Sequence, residues 1–251
     1  SPRELAIAAG GDAPQPTVND AADIKNDEGS VVNPKNDDAI NNYDYTAINE
    51  LLQKNTLDSF RQGERLPLGN VLLTGATGYL GIHIFRELME HYPDTKIYCL
   101  LRPKRGISAA ERLRQMLYYY FETNYAEAFG SRVFVYEGDV TAPIMVDVPV
   151  DTVINCAAIV KHFSEGTEIE DINIGGVKNC IDYCLKTGAR FIQTSTCSTG
   201  GTSINGFPDP SLHYSEQTHY MGQCLTGSKY VYSKFIAERM TLEAVIEKGL
   251  V

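Results

Sequence analysis

Two side chains near the end of the chain have the types and the spacing of an acid–base pair. Tyr230 and Lys234 lie four residues apart, and on a helix that spacing places both side chains on one face. A phenol has an unperturbed pKa near 10, which a neighbouring ammonium lowers because it stabilises the phenolate. The pair could then exchange a proton nearer neutral pH. An exposed aromatic–cation pair is the alternative, and Tyr232 lacks such a partner because Ile236 stands four residues after it.

Three glycines separate a short apolar run from a stretch with helical spacing. The run is Val71–Leu73, the glycines are Gly75, Gly78 and Gly81, and the helical stretch begins at Ile82. A strand, a glycine turn and a helix together place a pyrophosphate on a helix N-terminus. The glycines allow the sharp turn, the approach of backbone N–H groups to phosphate, and close packing of helix on strand. An ordinary strand–helix loop is the alternative, and the flanking elements favour dinucleotide binding.

Basic residues at the end of the second predicted strand indicate which nucleotide would bind. An acidic residue at this place binds a free ribose 2′-hydroxyl, whereas a basic residue suits a 2′-phosphate. The strand Lys96–Leu101 is followed by Arg102, Pro103, Lys104 and Arg105, with no Asp or Glu. A guanidinium group matches phosphate oxygens, so Arg102 is the first candidate and Arg112 could close from the other side. Solvated loop charges are the alternative, which fits Lys104 and Arg105 better.

Small and hydroxyl-bearing residues follow the later strands. The fifth predicted strand runs into Thr194–Gly200, which holds five Ser or Thr residues, and ligands bind at such carboxyl ends. Some of these hydroxyls must satisfy local backbone groups instead. The fourth strand ends in Asn155–Ala158, whose small side chains would let backbone pass close to a cofactor. His162 has no apparent partner, and we interpret it as a packed or solvent-facing residue.

Alternating strands and helices must position these residues. Such alternation predicts a Rossmann-type, doubly wound parallel sheet. The long segment Gly200–Gly227 is a predicted loop, and loops of that length commonly serve a site. The predicted strands begin at Val71, Lys96, Val133, Thr152 and Arg190, and the predicted helices span Ile82–Met89, Ser108–Phe121, Ile172–Leu185 and Tyr230–Lys248.

Length, net charge and cysteine spacing limit the classes of protein and partner that fit this sequence. The 251 residues suffice for one large α/β domain, and the net charge of −10 disfavours nucleic acid and anionic membranes as partners. No apolar run reaches the roughly 20 residues that span a bilayer. Six cysteines without metal-type pairing indicate reduced thiols in a cytoplasmic protein and no metal site.

The N-terminal part has a different composition. Ser1–Ala9 could form one or two helical turns, and Gly10–Asn42 is rich in Asn, Asp, Gly and Pro, which predicts a flexible linker. A lead-in helix is predicted within residues 43–69, because Ala47, Ile48 and Leu51 fit one helical face. The nucleotide-binding domain is then predicted over residues 70–251.

These motifs together resemble the extended short-chain dehydrogenase/reductase family. The spacing Gly75-x-x-Gly78-x-x-Gly81 has the form found in extended members, and the remaining motifs match in the expected order. Those motifs are Asp139-Val140, Asn155-Cys156-Ala157-Ala158, Asn173 and Tyr230-x-x-x-Lys234.

The chain also resembles the terminal thioester reductase domains of nonribosomal peptide synthetases. Tyr43–Leu52 resembles their lead-in, Cys99–Arg102 with Arg112 resembles their NADPH-selecting segment, and Tyr220–Gln223 resembles their active-site loop. Ser1–Ala9 is similar to the last helix of a carrier domain. Family members continue beyond the counterpart of Val251, so the resemblance implies that the C-terminal substrate-binding subdomain is missing here and puts this chain's own activity in doubt.

The resemblance implies a role for each candidate residue. It assigns catalysis to Thr196, Tyr230 and Lys234. It assigns NADPH binding to Gly75, Thr77, Gly78, Tyr79, Leu80, Gly81, Arg102, Arg112, Asp139, Val140, Asn155, Ala157, Ala158, Asn173, Tyr230 and Lys234.

The implied activity is NADPH-dependent reductive release of an acyl or peptidyl thioester from a phosphopantetheinylated carrier domain. Tyr230 and Thr196 would stabilise the oxyanion, Tyr230 would donate a proton, and the product would be an aldehyde that a second reduction can convert to an alcohol. Two alternatives remain open: a nucleotide-sugar epimerase or dehydratase that uses NAD, and a non-catalytic NADP-binding or carrier-docking module.

Overall fold

The computed structural model describes residues 38–55, 66–104, 106–161, 166–201, 214–225 and 227–251. The predicted tail at Ser1–Ala9, most of the predicted linker, Arg105 and His162 lie outside these residues. In these ranges, the α-helices of four or more residues are α1 (Asp38–Asn41), α2 (Thr46–Lys54), α3 (Tyr79–His91), α4 (Ala109–Phe121), α5 (Gly176–Thr187) and α6 (Lys229–Lys248). The strands are β1 (Val71–Thr74), β2 (Ile97–Leu101), β3 (Val133–Glu137), β4 (Thr152–Asn155) and β5 (Arg190–Gln193).

The five strands form one parallel sheet in the order β3-β2-β1-β4-β5. In the central strand β1, Leu73 pairs with Cys99 of β2 on one side and with Ile154 of β4 on the other. Every residue of β1, β2 and β4 is buried, as expected for parallel strands covered on both faces. This sheet confirms the predicted Rossmann-type fold, and it places the carboxyl ends of all five strands at one edge.

Hydrophobic clusters cover both faces of the sheet. Alternate residues of β1 point to opposite sides, so Val71 and Leu73 pack with Ile82 and Phe85 of α3, whereas Leu72 joins the cluster that includes α5. Burial of each such side chain contributes about 1.5–3 kcal/mol. The two clusters therefore fix α3 and α5 on opposite faces, and with them the turns that precede each helix.

The helix boundaries follow local capping chemistry. The Ser108 side chain accepts a hydrogen bond from Glu111 N (3.2 Å) at the start of α4, and the Ser228 side chain caps α6. Gly188 and Gly249 end α5 and α6 with φ of +77° and +67°, which is the left-handed conformation that glycine adopts without a Cβ penalty. A π-helical turn, Asp171–Gly175, precedes α5 and was not predicted.

A third cluster joins the lead-in to the last helix. Ile40 of α1 is fully buried, and it packs with Tyr45, Ile48, Leu225 and Phe235 of α6. The helix α1 therefore lies within Gly10–Asn42, the range predicted as a flexible linker. Among the described residues of that segment, Ile40 is apolar and fully buried, which the averaged composition of the segment did not reveal.

Candidate active site

The turn between β1 and α3 has the geometry of a phosphate cradle. Gly75 has φ of +68°, and a Cβ added there would lie 2.5 Å from the Cys156 carbonyl carbon and 2.6 Å from Ala157 N. A Cβ at Gly81 would overlap the Gly75 carbonyl oxygen. Only glycine therefore fits at Gly75 and Gly81, and the exposed backbone of the turn stays open for an anion.

A cleft of about 700 Å³, open to solvent, runs along the strand ends beside this turn. Nine of the predicted cofactor residues line it, which are Gly75, Thr77, Gly78, Arg102, Arg112, Asp139, Val140, Ala157 and Ala158. The lining residues that were not predicted are Leu100, Leu101, Gly138, Cys156, Ile159 and Ile172. Most of these are direct neighbours of predicted residues, so an extension of each motif by one position would have found them.

Other predicted cofactor residues lie outside the cleft lining. Tyr79 and Leu80 are 71% and 51% exposed at the start of α3. Asn155 is buried, where its Oδ1 accepts a short hydrogen bond from the Thr74 hydroxyl and its Nδ2 donates to Gln193 Oε1 (2.8 Å).

Asn173 is a buried connector between two parts of the site. Its Oδ1 accepts from Ile159 N (2.8 Å), and its Nδ2 donates to Ile159 O (3.0 Å) and to Ser233 Oγ (2.9 Å). The segment after β4 is thereby tied to α6, the helix that carries Tyr230 and Lys234. Direct contact of Asn155 or Asn173 with a cofactor stays a prediction.

An arginine pair borders the cleft at the end of β2. Arg102 Nη1 donates to Asp139 Oδ2 (3.4 Å), and Arg112 Nη1 donates to the Arg102 carbonyl oxygen (3.1 Å). Burial raises the pKa of the Asp139 carboxyl, but Thr141 and Arg102 outweigh it and hold the pKa below its usual value. The Arg102 side chain stays 57% exposed, so it is free to meet an additional anion.

The buried ammonium of Lys234 faces the end of β5. Lys234 is 3% exposed, and its Nζ donates to Thr194 O (2.5 Å), two residues before Thr196. Burial lowers the pKa of Lys234, while Glu238 and Cys156 act in the opposite direction. Cys156 also lines the cleft, and burial raises the pKa of its thiol to about 11 although the nearby Lys234 lowers it. Lys234 therefore lies close to the cleft that begins at the glycine turn.

Tyr230 is one turn before Lys234 on α6, as the spacing predicted. Its carbonyl oxygen accepts a hydrogen bond from Ser233 Oγ (2.8 Å), the same hydroxyl that accepts from Asn173. Thr196 begins a 3₁₀ turn, Cys197–Gly200, and its Oγ1 accepts from Ser198 N (3.2 Å). An oxygen that accepts from Ser198 still has its own proton to donate elsewhere.

Two further properties bear on the site. Within the described residues, no group of three His, Cys, Asp or Glu side chains is arranged to hold a metal ion. None of the helices in the described ranges combines the length and apolar character needed to cross a membrane.

Comparison with known proteins identifies relatives for most of the chain. The family described as male sterility protein, an NAD-binding family, matches residues 73–251. A thiolation-reductase di-domain from an archaeal non-ribosomal peptide synthetase is 44% identical with a TM-score of 0.77, covering 84% of this chain and 58% of its own. The aureusimine biosynthetic cluster reductase domain is 32% identical with a TM-score of 0.64, covering 80% and 53%.

A curated relative points to the same kind of chemistry. The 3 beta-hydroxysteroid dehydrogenase type 7 of Rattus norvegicus is 30% identical over 189 residues, which cover 71% of this chain and 49% of that protein. The chain spans about half the length of the three relatives named here, from 49% to 58%. All of these relatives are oxidoreductases by name, and the family match covers well over half of the chain. The chain therefore belongs to the male sterility protein family of NAD-binding domains and is an extended short-chain dehydrogenase/reductase.

Proposed function

We propose that the chain provides the NADPH-binding and proton-donating part of a thioester reductase. The observation that carries this proposal is the hydrogen bond from Lys234 Nζ to Thr194 O (2.5 Å). It brings the helix face of Tyr230 and Lys234 to the strand end that presents Thr196, beside the cleft of the glycine turn. Proton donor, hydroxyl and nucleotide cleft then share one edge of the sheet, where ligands bind in folds of this type.

The glycine turn and the arginine pair fit a dinucleotide with a 2′-phosphate. A Cβ at Gly75 or Gly81 would block the glycine turn. The residue that follows the second strand is Arg102 and not an acidic residue. Arg102 and Arg112 would hold the 2′-phosphate, and backbone N–H groups of the turn would hold the pyrophosphate. When bound, NADPH supplies the hydride that reduces the thioester carbonyl carbon.

The chain's own residues would handle the oxygen of that carbonyl. Thr196 Oγ1 donates a hydrogen bond to the oxygen as negative charge develops on it. The Tyr230 hydroxyl donates a hydrogen bond and then its proton, so the oxygen becomes the hydroxyl of a hemithioacetal. The Lys234 ammonium stabilises the phenolate that remains. Cleavage of the carbon–sulfur bond then gives an aldehyde and the free thiol, which takes up the proton of that hydroxyl.

A carrier domain is the proposed source of the thioester. Support comes from the archaeal relative, in which a thiolation domain and a reductase domain occur together, at 44% identity. The substrate is therefore proposed as an acyl or peptidyl group on a phosphopantetheine arm. Reduction of a steroid-like or nucleotide-sugar carbonyl would use the same Tyr and Lys, so the test below includes both substrate types.

The test measures NADPH oxidation by the full-length product of the gene, with butyryl pantetheine as substrate and with a keto-steroid and a nucleotide sugar in parallel. Tyr230→Phe removes the proton donor and keeps the ring, so we expect kcat to fall by about 10²- to 10⁴-fold. Binding of NADPH, followed by its fluorescence, should persist.

Tyr232→Phe is the matched control: a helix turns by about 100° per residue, so Tyr232, two residues from both Tyr230 and Lys234, lies on the opposite side of the helix. The proposal is wrong if Tyr230→Phe reduces the thioester at the parental rate, or if only the steroid or the nucleotide sugar is turned over.

A further inference from the structure

The loop segment Tyr214–Leu225 contacts the turn that carries Thr196 through a buried glutamine. Gln223 is fully buried, and its Nε2 donates to Thr199 O (3.1 Å) and to His219 O (2.9 Å). Its Oε1 accepts from Met221 N (2.8 Å). Two carbonyl acceptors and one N–H donor fix the orientation of the amide, because the reversed amide would place like groups together.

Thr199, whose carbonyl oxygen accepts a hydrogen bond from the Gln223 amide, also closes the Thr196 turn. Thr199 N and Thr199 Oγ1 both donate to Thr196 O, at 3.2 Å and 2.8 Å. Thr199 thus joins the Gln223 amide, through its own carbonyl, to the backbone of Thr196. A shift of Thr199 would carry the Thr196 backbone with it, and the hydroxyl of Thr196 would move from its position.

The Thr196 turn and the loop pack so closely that two glycines after Thr199 have no room for a side chain. Gly201 has φ of +68°, and a Cβ there would lie 2.8 Å from Gln223 Cβ. A Cβ at Gly200 would lie 2.8 Å from the ring of Tyr214, whose hydroxyl is 2.9 Å from Thr199 Oγ1. Two adjacent glycines therefore allow the loop to lie directly against the turn.

The lead-in holds the loop from the opposite side. His219 N donates to Asn49 Oδ1 of α2 (3.1 Å), and Tyr220 Oη donates to Asn41 Oδ1 of α1 (2.9 Å). The ring of Tyr45 lies 4.7 Å from that of Tyr220. The loop is consequently clamped between the lead-in and the Thr196 turn, with the Gln223 amide at its centre.

We infer that Gln223 is a positioning residue, whose buried amide fixes the Thr196 turn in the geometry needed for reduction of the carbonyl. This inference rests on the proposed function, in which Thr196 contacts the reacting oxygen. Within the described residues, Gln223 hydrogen-bonds to the Thr196 turn and to no residue that lines the nucleotide cleft, so we expect its loss to affect the chemical step and not the Kd for NADPH.

The experiment is a double-substitution cycle in the full-length product, with butyryl pantetheine and NADPH. Gln223→Glu keeps the shape but replaces both N–H donors by an acceptor, and we expect kcat to fall by about 10- to 100-fold, since small displacements of catalytic groups cost this much. The Kd for NADPH should stay within about twofold of the parental value. In a Thr196→Val background, Gln223→Glu should lower kcat by less than about threefold, because residues that act as a unit are non-additive.

Controls separate this inference from simple unfolding. Gln217→Glu makes the same change at an exposed position of the same loop and should leave kcat unchanged. If Gln223→Glu does not fold, Gln223→Met, which keeps the length without polar atoms, replaces it in the cycle. An unchanged kcat in the folded Gln223 variant, or a full additional loss in the Thr196→Val background, overturns the inference. If Thr196→Val itself has no effect, the proposed role of Thr196 fails, and the inference fails with it.

Discussion

At the scale of single residues, the rim of the cleft shows how one arginine is prepared for a phosphate. Arg102 Nη1 contacts Asp139 Oδ2 at 3.4 Å, which is long for a charge-assisted hydrogen bond. An exposed ion pair of this kind contributes little, about 0–1 kcal/mol. A 2′-phosphate can therefore compete for the guanidinium at low cost, with Arg112 placed alongside.

We predict that Arg102→Ala weakens binding of NADPH by about 10- to 100-fold and leaves binding of NADH nearly unchanged, because a charge-assisted phosphate contact contributes about 1.5–3 kcal/mol. Titration of cofactor fluorescence measures both affinities. Lys104→Ala is the control, because it removes a cation from the same exposed segment outside the cleft lining. Equal losses for the two cofactors would contradict the assignment of Arg102 to the 2′-phosphate.

Residue spacing predicted the groups that a short stretch of sequence defines by itself. The three glycines, Arg102 at a strand end and the i, i+4 pair Tyr230–Lys234 are of this kind, and the structure brings their elements to one edge. Asn155 bonds to Thr74, 81 residues away, Asn173 bonds to Ser233, 60 residues away, and Gln223 bonds to Thr199, 24 residues away. No local pattern encodes such contacts, so the buried hydrogen bonds around the site were not predictable.

At the scale of elements, the turn from β1 to α3 depends on backbone packing. The start of α3 lies so close to β1 that a Cβ at Gly81 would overlap the Gly75 carbonyl group. Strand positions were predicted to within one residue because buried runs and their flanking glycines are local signals. The π-helical turn overlaps the start of the predicted helix Ile172–Leu185 and packs against α6, and its irregular hydrogen bonds were not predicted.

Gly81→Ala tests this close approach. The added methyl group would overlap the Gly75 carbonyl oxygen, and backbone cannot move aside as a flexible side chain can. We expect the variant to lose about 1–3 kcal/mol of unfolding free energy. We also expect about tenfold weaker NADPH binding, because the turn that would hold the pyrophosphate must shift. Urea denaturation and cofactor titration measure the two effects.

Gly175→Ala provides the matched control. Gly175 has helical backbone angles, with φ of −60°, and an added Cβ would meet nothing within 4 Å. This variant should be neutral or more stable by up to about 1 kcal/mol, because alanine favours helix over glycine. Unchanged or raised stability in both variants, with unchanged NADPH affinity, would show that helix propensity, and not the contact with Gly75, decides the outcome.

At the scale of the whole molecule, three parts of the chain meet around His219. The lead-in contributes Asn49 and Tyr45, the loop contributes His219 itself, and α6 contributes Phe235, whose ring stacks on the imidazole at 4.1 Å. The helical spacing of Ala47, Ile48 and Leu51 predicted the lead-in as a helix before the nucleotide-binding domain. Its packing against α6 could not be predicted, because it joins residues that are about 180 positions apart in sequence.

The burial of His219 makes a specific prediction about stability and pH. Burial lowers the pKa of His219 from 6.5 to about 4, and its Nε2 has no hydrogen-bond partner among the described residues. The unfolded chain therefore binds a proton below pH 6.5 that the folded chain does not bind until about pH 4. The contribution of His219 to the free energy of unfolding is fully present above pH 6.5 and is lost as the pH falls toward 4. It amounts to roughly 3 kcal/mol over that window.

His219→Phe keeps a ring against Phe235 and removes the titrating group, so its unfolding free energy should fall less between pH 7 and pH 4 than that of the parental protein. Urea denaturation at intervals of half a pH unit measures the difference. Burial raises the pKa of Glu238, whose Oε2 lies 3.7 Å from His219 Nδ1, and this acts in the opposite direction in both proteins. His91→Phe, at an exposed position, should retain the parental pH dependence. Parallel curves for His219→Phe and the parental protein would show that the imidazole takes up its proton without unfolding the contact between lead-in, loop and α6.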